Sequence, residues 1–169
     1  MVTGVSSEEK VVVFRIGDEE FGMEVLAVSE IIRPTEITPL PRAPKSVIGL
    51  INLRGTVIPV IDARERFNLP RTEFTSNERI VVINLSDNQQ IGLQVDMATE
   101  ILKLSGDEVV PIPNLAIGKE VKDVLRAVAN IGDRLIILLD PGKILPSRSL
   151  SRISLSSRTV KSMREAQVE

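Results

Sequence analysis

The densest cluster of carboxylates in this chain consists of Asp18, Glu19 and Glu20. Neighbouring acids of this kind can serve in acid–base catalysis when the fold turns them towards a common point. Here they occupy a polar run between two apolar stretches, which is typical of a hairpin turn whose side chains point into water. We therefore expect a solvated hairpin tip and no catalytic pair at this position.

Two further aspartates, Asp62 and Asp140, stand where an apolar run gives way to a helix-like segment. Asp62 opens a capping-box pattern, and Asp140 is followed by Pro141, a residue favoured at the first helical position. Ser105 with Glu108 repeats the box pattern. Capping of short helices explains these residues without acid–base chemistry.

The residue inventory excludes most catalytic and ligand-binding chemistry. The chain has no histidine, cysteine, tryptophan or tyrosine, so imidazole bases, thiolate nucleophiles, catalytic tyrosines and His- or Cys-based metal sites are absent. Glycine-rich phosphate loops of the GxGxxG or GxxxxGK type are also absent. This inventory leaves few of the familiar enzyme mechanisms, and we expect the chain to bind no cofactor and no metal.

Composition and charge limit the classes of partner. The 169 residues are 43% hydrophobic, which suffices for one sizeable core or two small ones. A formal charge of −2 and an aromatic content of 2% argue against a nucleic-acid partner. No apolar run approaches the roughly 20 residues that span a bilayer, and the start of the chain does not resemble a signal peptide. We expect a cytoplasmic protein without direct membrane insertion.

An internal duplication organises the sequence. Residues 10–33 can be aligned with 79–103, and residues 49–67 with 127–145. The identical pairs are Val12/Val81, Val13/Val82, Asp18/Asp87, Gly22/Gly92, Val25/Val95, Glu30/Glu100, Ile31/Ile101, Asn52/Asn130, Ile58/Ile136 and Asp62/Asp140. Because both blocks recur in the same order, we interpret the chain as two related units.

Each unit is predicted to consist mainly of strands. The β-branched runs 11–16 and 80–85 are each followed by a polar turn and a second apolar run, which predicts a hairpin. A second pair of runs, 48–53 with 57–61, is mirrored by 124–131 with 135–139. Pro59 falls inside one of these runs, which predicts an edge position or an exposed side for it. We expect about five strands per unit, short helices, and closure into two abutting β-barrels.

Arg54 differs from its counterpart in the second unit. The duplication aligns it with Gly132, so the turn itself does not require an arginine. Arg54 is then either an ordinary surface arginine or a donor presented to the carboxylate or carbonyls of a partner. Glu30, in contrast, is repeated by Glu100, so both a structural salt bridge and a recognition role remain open for it.

Three motifs resemble the CheW-like coupling domain of bacterial chemotaxis: GDEEFGMEV (17–25), VSEIIRP (28–34) and PRAPKSVIGLINLRGTVIPVIDARERF (41–67). The resemblance covers about residues 10–145 and is most specific over 49–67. It implies a mainly β fold of two abutting, intertwined five-stranded SH3-like barrels, in agreement with the duplication. It also implies the absence of catalytic activity.

The resemblance further implies a function and partners. A domain of this family is expected to be a non-enzymatic adaptor that couples the cytoplasmic tips of methyl-accepting chemoreceptors to the regulatory domain of a CheA-type histidine kinase. It would be cytoplasmic and would join membrane receptor arrays through these partners. A CheW-like adaptor of a related pathway, such as gliding, twitching or another two-component output, is the alternative.

Residue by residue, the resemblance implies two surfaces. The receptor-facing groove would contain Glu30, Asn52 and Arg54. The kinase-facing surface would contain the apolar residues Val12, Val25 and Val28, although the spacing of Val25 and Val28 alone favours a place in the core.

The domain boundaries follow from the same comparison. We expect an N-terminal tail over 1–9, the CheW-like domain over 10–146 and a C-terminal tail over 147–169. The C-terminal tail is rich in serine and basic residues and matches no motif of the family. A tail that binds membranes or polyanions, and an enzyme with a serine or carboxylate site, are the competing functions from other classes.

Overall fold

The computed structural model describes residues 8–70, 75–113 and 118–145, and these form a mainly β structure. The predicted C-terminal tail, 147–169, and most of the predicted N-terminal tail lie outside the described residues. The strands are β1 (Glu9–Ile16), β2 (Glu19–Glu24), β3 (Val28–Ile32), β4 (Val47–Leu53), β5 (Thr56–Asp62), β6 (Arg79–Asn84), β7 (Gln90–Val95), β8 (Met97–Leu104), β9 (Val109–Val110), β10 (Leu125–Ile131) and β11 (Arg134–Leu139). The helices are short: α1 (Ala63–Arg66), α2 (Lys119–Lys122) and single 3₁₀ turns such as Val25–Ala27.

The strands form two sheets whose orders match each other. The first sheet has the order β8-β1-β2-β11-β10-β9, and the second has the order β3-β6-β7-β5-β4. Apart from the two-residue strand β9, every strand of one sheet has its duplicated counterpart at the same place in the other. The structure therefore confirms the mainly β class with abutting sheets, whereas closure into barrels stays a prediction.

The two units exchange their hairpins. The β1–β2 hairpin of the first unit pairs with β8 and, in parallel, with β11 of the second unit. The β6–β7 hairpin of the second unit pairs with β3 and, in parallel, with β5 of the first. Each sheet thus combines the hairpin of one unit with the remaining strands of the other, because the chain changes sheet directly after each hairpin.

The apolar core has three parts. The largest cluster contains residues of both sheets, among them Phe14 and Met23 from the first and Ile83 and Leu93 from the second. A smaller cluster lies within the first sheet, around Val13, and another lies within the second sheet. Since the largest cluster is shared, burial of apolar area holds the two sheets together.

Gly22 and Gly92, which the duplication pairs, lie where each hairpin meets its parallel partner strand. A Cβ atom on Gly92 would lie 2.7 Å from Cγ2 of Ile80, and one on Gly22 would lie 3.1 Å from Cδ2 of Leu138. These distances are shorter than an ordinary carbon–carbon contact, so the close approach of neighbouring side chains explains both glycines.

The prediction for Pro59 was wrong, since this residue is buried on an inner strand of the second sheet. Pro59 lies opposite Leu50, whose N–H and C=O both bond to Thr38, so this β4–β5 pair exchanges no hydrogen bonds. The nitrogen of Pro59 points instead towards β7, where pairing begins only at Val60. The ladder therefore never requires the missing N–H.

The predicted helix caps are confirmed. Asp62 Oδ1 accepts from the N–H of Arg64 at 3.0 Å, and Asp140 Oδ1 accepts from the N–H of Gly142 at 3.0 Å. Ser105 and Glu108 complete a capping box. These residues fix the points at which the chain leaves a strand.

Candidate protein-binding surface

Glu30 and Arg54, two of the residues predicted to face a receptor, form an ion pair. Glu30 lies on β3 at one edge of the second sheet, and Arg54 lies in the turn between β4 and β5 at the other edge. Arg54 Nη1 donates to Glu30 Oε1 at 3.2 Å, while Nη2 contacts Oε2 of the same carboxylate. The pair therefore joins a side chain from one edge strand of the sheet to a side chain from the turn at the other edge.

The backbone of Arg54 adopts a left-handed conformation, with φ at +50°. Its counterpart Gly132 has φ at +57°, and glycine is the residue that adopts such angles without steric cost. Arg54 therefore occupies a position whose backbone angles favour glycine on steric grounds. A strained position that carries a charged, exposed side chain is more typical of a recognition site than of a simple turn.

Asn52, the third residue predicted to face a receptor, supports the same turn. Its Oδ1 accepts from the backbone N–H of Gly55 at 2.9 Å. Asn52 itself is exposed, and it lies two residues before Arg54 on β4. The three predicted residues are thus gathered at one end of the second sheet, with Asn52 shaping the turn that presents Arg54.

The electrostatics of the pair favour its charged form. The hydrogen bond from Arg54 holds the pKa of Glu30 below its ordinary value of 4.5, and the same contact raises the pKa of Arg54. The Arg54 side chain is 69% exposed, whereas that of Glu30 is 28% exposed. Because the guanidinium faces water, solvent screening keeps the stabilising effect of this pair small.

The second unit contains an equivalent pair that the sequence comparison missed. Arg134, at the start of β11, contacts Glu100, the counterpart of Glu30, at 2.9 Å. The alignment gave Gly132 as the partner of Arg54, but the second unit carries its arginine two residues further along the same turn. Gly132 still shows that the turn position itself does not require an arginine, but Arg134 supplies an arginine at the same end of the first sheet. A comparison that allowed such a shift would have found Arg134.

Glu20 also departs from its prediction. Asp18 and Glu19 are exposed, as a hairpin tip predicts, but Glu20, the second residue of β2, is half-buried. Its carboxylate accepts two hydrogen bonds from Arg134, at 2.7 and 3.2 Å. These bonds lower the pKa of Glu20 against the opposing effect of burial. The cluster is thus only partly a solvated tip.

The three valines predicted to face a kinase differ in exposure. Val12 is only 5% exposed and belongs to the largest core cluster. Val25 and Val28 are half-buried and pack against the same cluster. A kinase contact through Val12 stays a prediction, because almost none of the surface of this residue is accessible to a partner.

Leu26 is the apolar residue that sequence reasoning missed on this surface. It is 90% exposed, although it stands in an apolar run between Val25 and Ala27. The run forms a 3₁₀ turn, which places Ala27 in the core and turns Leu26 outwards. Leu26 also borders an open groove of about 640 Å³, whose other walls include Glu8, Glu24 and Lys103. The sequence itself carries no signal that separates Leu26 from its more buried neighbours, because the run Val25–Ala27 is uniformly apolar.

Residues 8–70, 75–113 and 118–145 contain no group of three or more metal-ligating side chains. Within the same ranges, no helix is both long and apolar enough to cross a bilayer.

Comparison with known proteins identifies relatives of this chain and of its fold. The sequence model of the CheW-like domain matches residues 10–149. The chain belongs to the CheW-like domain family. It is 36% identical over 138 residues to the chemotaxis protein CheW of Rhizobium meliloti, covering 82% of this chain and 88% of that protein. It is 28% identical over 152 residues to CheW of Klebsiella aerogenes, with 90% of each chain covered.

A solved structure of the family agrees with the fold. The CheW-like chain described here is similar to the scaffolding protein TtCheW from Thermoanaerobacter tengcongensis, with a TM-score of 0.75 and 28% sequence identity. The match covers 83% of this chain and 90% of that one. The predicted family membership is thereby confirmed, together with the fold class.

Proposed function

We propose that this chain is a non-enzymatic CheW-type adaptor, which couples chemoreceptors to a CheA-type histidine kinase in bacterial chemotaxis. The observation that carries the proposal is the exposed Arg54, held by Glu30 at a left-handed turn position. Such a side chain is a preoriented donor for a protein partner, and its counterpart Gly132 indicates that the turn alone would favour glycine. Membership of a family whose named members are chemotaxis proteins supports the same function.

The receptor-binding surface would consist of Glu30, Asn52 and Arg54. These residues lie together at one end of the second sheet, and each is anchored by a hydrogen bond or an ion pair. Anchoring reduces the rotamer entropy that binding would remove. The partner would be the cytoplasmic tip of a chemoreceptor, so the adaptor would work in the cytoplasm, beside the membrane that holds the receptors.

The kinase-binding surface would be centred on the apolar turn after β2. Leu26 is almost fully exposed, while Val25 and Val28 flank it and Val12 lies in the core cluster against which they pack. An exposed leucine beside half-buried valines offers apolar area that a partner would remove from water. The partner would be the regulatory domain of the kinase.

A reconstituted assay tests the proposal. Receptor-containing vesicles and the kinase are mixed with and without this chain, and kinase autophosphorylation is measured. An adaptor should raise receptor-dependent kinase activity, while the chain alone should show no turnover of ATP. Calorimetry with the kinase regulatory domain should show binding in the absence of nucleotide and divalent ions. Failure of the chain to bind either partner would contradict the proposed function.

A further inference from the structure

Arg134 shows which surroundings this fold gives to an arginine at the end of a sheet. Its Nη2 donates to Glu20 Oε1 at 2.7 Å and to Glu100 Oε2 at 2.9 Å, and its Nε donates to Glu20 Oε2 at 3.2 Å. One guanidinium therefore lies between two carboxylates. As a result, the Arg134 side chain is only 37% exposed.

Arg54 has only the first of these two carboxylates among the described residues. Glu30 corresponds to Glu100, but the counterpart of Glu20 is Gln90, which carries no charge. The Gln90 side chain donates instead to Asn84 Oδ1 at 2.9 Å. Arg54 is left 69% exposed, with a guanidinium that has more N–H donors than one carboxylate can use.

The strand pairing accounts for this difference. In the first sheet, the parallel ladder between β11 and β2 begins at Ile136 opposite Glu20, close to Arg134. In the second sheet, the corresponding ladder begins at Val60 opposite Gly92, beyond Pro59. Gln90 therefore lies outside the ladder, and no residue of β7 is paired beside the turn of Arg54.

We propose that Arg54 binds a carboxylate side chain, an aspartate or a glutamate, of the receptor tip. This carboxylate takes the place beside Arg54 that Glu20 takes beside Arg134. The inference rests on the proposed function and names the chemical group that the receptor contributes. The other half of this chain already contains an arginine between two carboxylates, namely Arg134. The proposed contact would repeat that hydrogen-bonding geometry.

Glu30 has a defined part in this contact. It holds the guanidinium at the turn before the receptor arrives, so that fewer side-chain conformations are lost on binding. The Arg54–Glu30 pair is neutral as a unit, whereas Arg134 with Glu20 and Glu100 carries one net negative charge. A receptor carboxylate at Arg54 would give both ends of the molecule the same charge arrangement.

A charge-reversal experiment tests the inference. Affinity for a receptor cytoplasmic fragment is measured for the full chain and for Arg54→Glu, which should bind roughly a hundredfold more weakly. Each acidic residue of the receptor tip is then changed to lysine, one at a time. One of these changes should restore the affinity of Arg54→Glu to within about tenfold of the original, because the opposite charges are again paired.

Matched variants make the result specific. Lys122→Glu alters an exposed cation of α2 by the same charge, and it should neither lose affinity nor gain from the rescuing change. Arg54→Gly removes the guanidinium and suits the left-handed turn, so it should be folded and weak in binding. If Arg54→Gly weakens binding but no receptor lysine rescues Arg54→Glu, the contact is made to neutral groups and the inference is wrong, while the proposed function stands. Absence of binding by the unaltered chain would overturn both, and rescue by acidic residues of the kinase regulatory domain would overturn the choice of receptor.

Discussion

The guanidinium of Arg64 binds the carboxylate of Asp96 through two hydrogen bonds, Nε to Oδ1 at 2.8 Å and Nη2 to Oδ2 at 2.7 Å. Arg64 lies on α1, at the end of β5 in the second sheet, whereas Asp96 lies between β7 and β8, where the chain crosses to the first sheet. Asp96 also accepts from the backbone N–H of Gly17 in the β1–β2 turn at 2.6 Å. One carboxylate thus links segments of both sheets.

Replacing Arg64 by alanine should destabilise the fold by about 2–3 kcal/mol, because the carboxylate of Asp96 would remain in a largely buried place without its main cation. Urea unfolding followed by circular dichroism measures the change. The stability of Arg64→Lys should lie between that of Arg64→Ala and that of the unaltered chain, since lysine keeps the charge but cannot reproduce both hydrogen bonds of the guanidinium to the carboxylate. The exposed Arg33→Ala is the control and should shift stability by less than about 0.5 kcal/mol. Equal stability of Arg64→Ala and the unaltered chain would refute the proposed link.

Arg54→Gly should separate folding from receptor coupling. Glycine suits the positive φ of this position, so the melting temperature should stay unchanged or rise slightly. Receptor affinity should fall by roughly tenfold to a hundredfold, because a charge-assisted contact is lost. Differential scanning calorimetry and a binding titration give the two values. Unchanged affinity would make Arg54 an ordinary surface arginine, and a large loss of stability would make it a structural residue.

Leu26 and Val12 form a matched pair for the kinase-binding surface. Leu26→Ser removes an exposed side chain, so stability should change by less than about 0.5 kcal/mol, while affinity for the kinase regulatory domain should fall about tenfold. Val12→Ala removes buried methyl groups and should cost about 2 kcal/mol of stability, with little effect on affinity once folded. If Leu26→Ser kept its affinity for the regulatory domain while folded Val12→Ala lost affinity, the kinase would contact a different surface.

Gly49 should tolerate no side chain. A Cβ atom there would lie 2.2 Å from the backbone oxygen of Thr38, which bonds to Leu50 of the same strand. Gly49→Ala should therefore cost about 3 kcal/mol, since backbone and not a flexible side chain must move. Gly118→Ala is the control, because no residue that the structure describes lies within 4 Å of its added Cβ, and its stability should change by less than about 0.5 kcal/mol. Both values follow from urea unfolding.

The pair between Glu20 and Arg134 should make part of the stability depend on pH. The pKa of Glu20 is lowered in the folded state, so its contribution is present above the ordinary value of 4.5 and is lost as the pH falls through the folded-state pKa. At pH 7, Glu20→Gln should be about 1 kcal/mol less stable than the unaltered chain, after allowance for solvent screening. The gap should close as the pH falls below 4.5 and through the lowered pKa of Glu20. A gap independent of pH would show that packing, and not charge, is responsible.

Local structure could be predicted from the sequence because its causes are local. The β-branched runs around Val12 and Val81, each followed by a polar turn, predicted both hairpins, and the capping patterns at Asp62 and Asp140 predicted where strands end. The gathering of Glu30 and Arg54 at one site followed from the family resemblance and not from spacing. A motif transfers such a pair because the family shares the fold that brings the two residues together.

What could not be predicted depends on contacts between distant segments. Glu20 became an ion-pair residue because Arg134, more than a hundred positions away, lies beside it in the sheet. Val12 and Leu26 both stand in apolar runs, and only the packing of the second sheet decides that Val12 is buried and Leu26 exposed. The position of Pro59 likewise depends on where the pairing with β7 begins.

The exchange of hairpins between the two units sets the order in which the fold can form during synthesis. The β1–β2 hairpin leaves the ribosome first, but its neighbours β8 and β11 are made much later. Until then both of its edges are unpaired and open to other strands. The second sheet, in contrast, is complete once β7 has been made, because all its strands precede that point. In a nascent chain the second sheet can therefore be complete while the β1–β2 hairpin is still unpaired at both edges. Strands made late, β8 and β11, then pair with the strands made early.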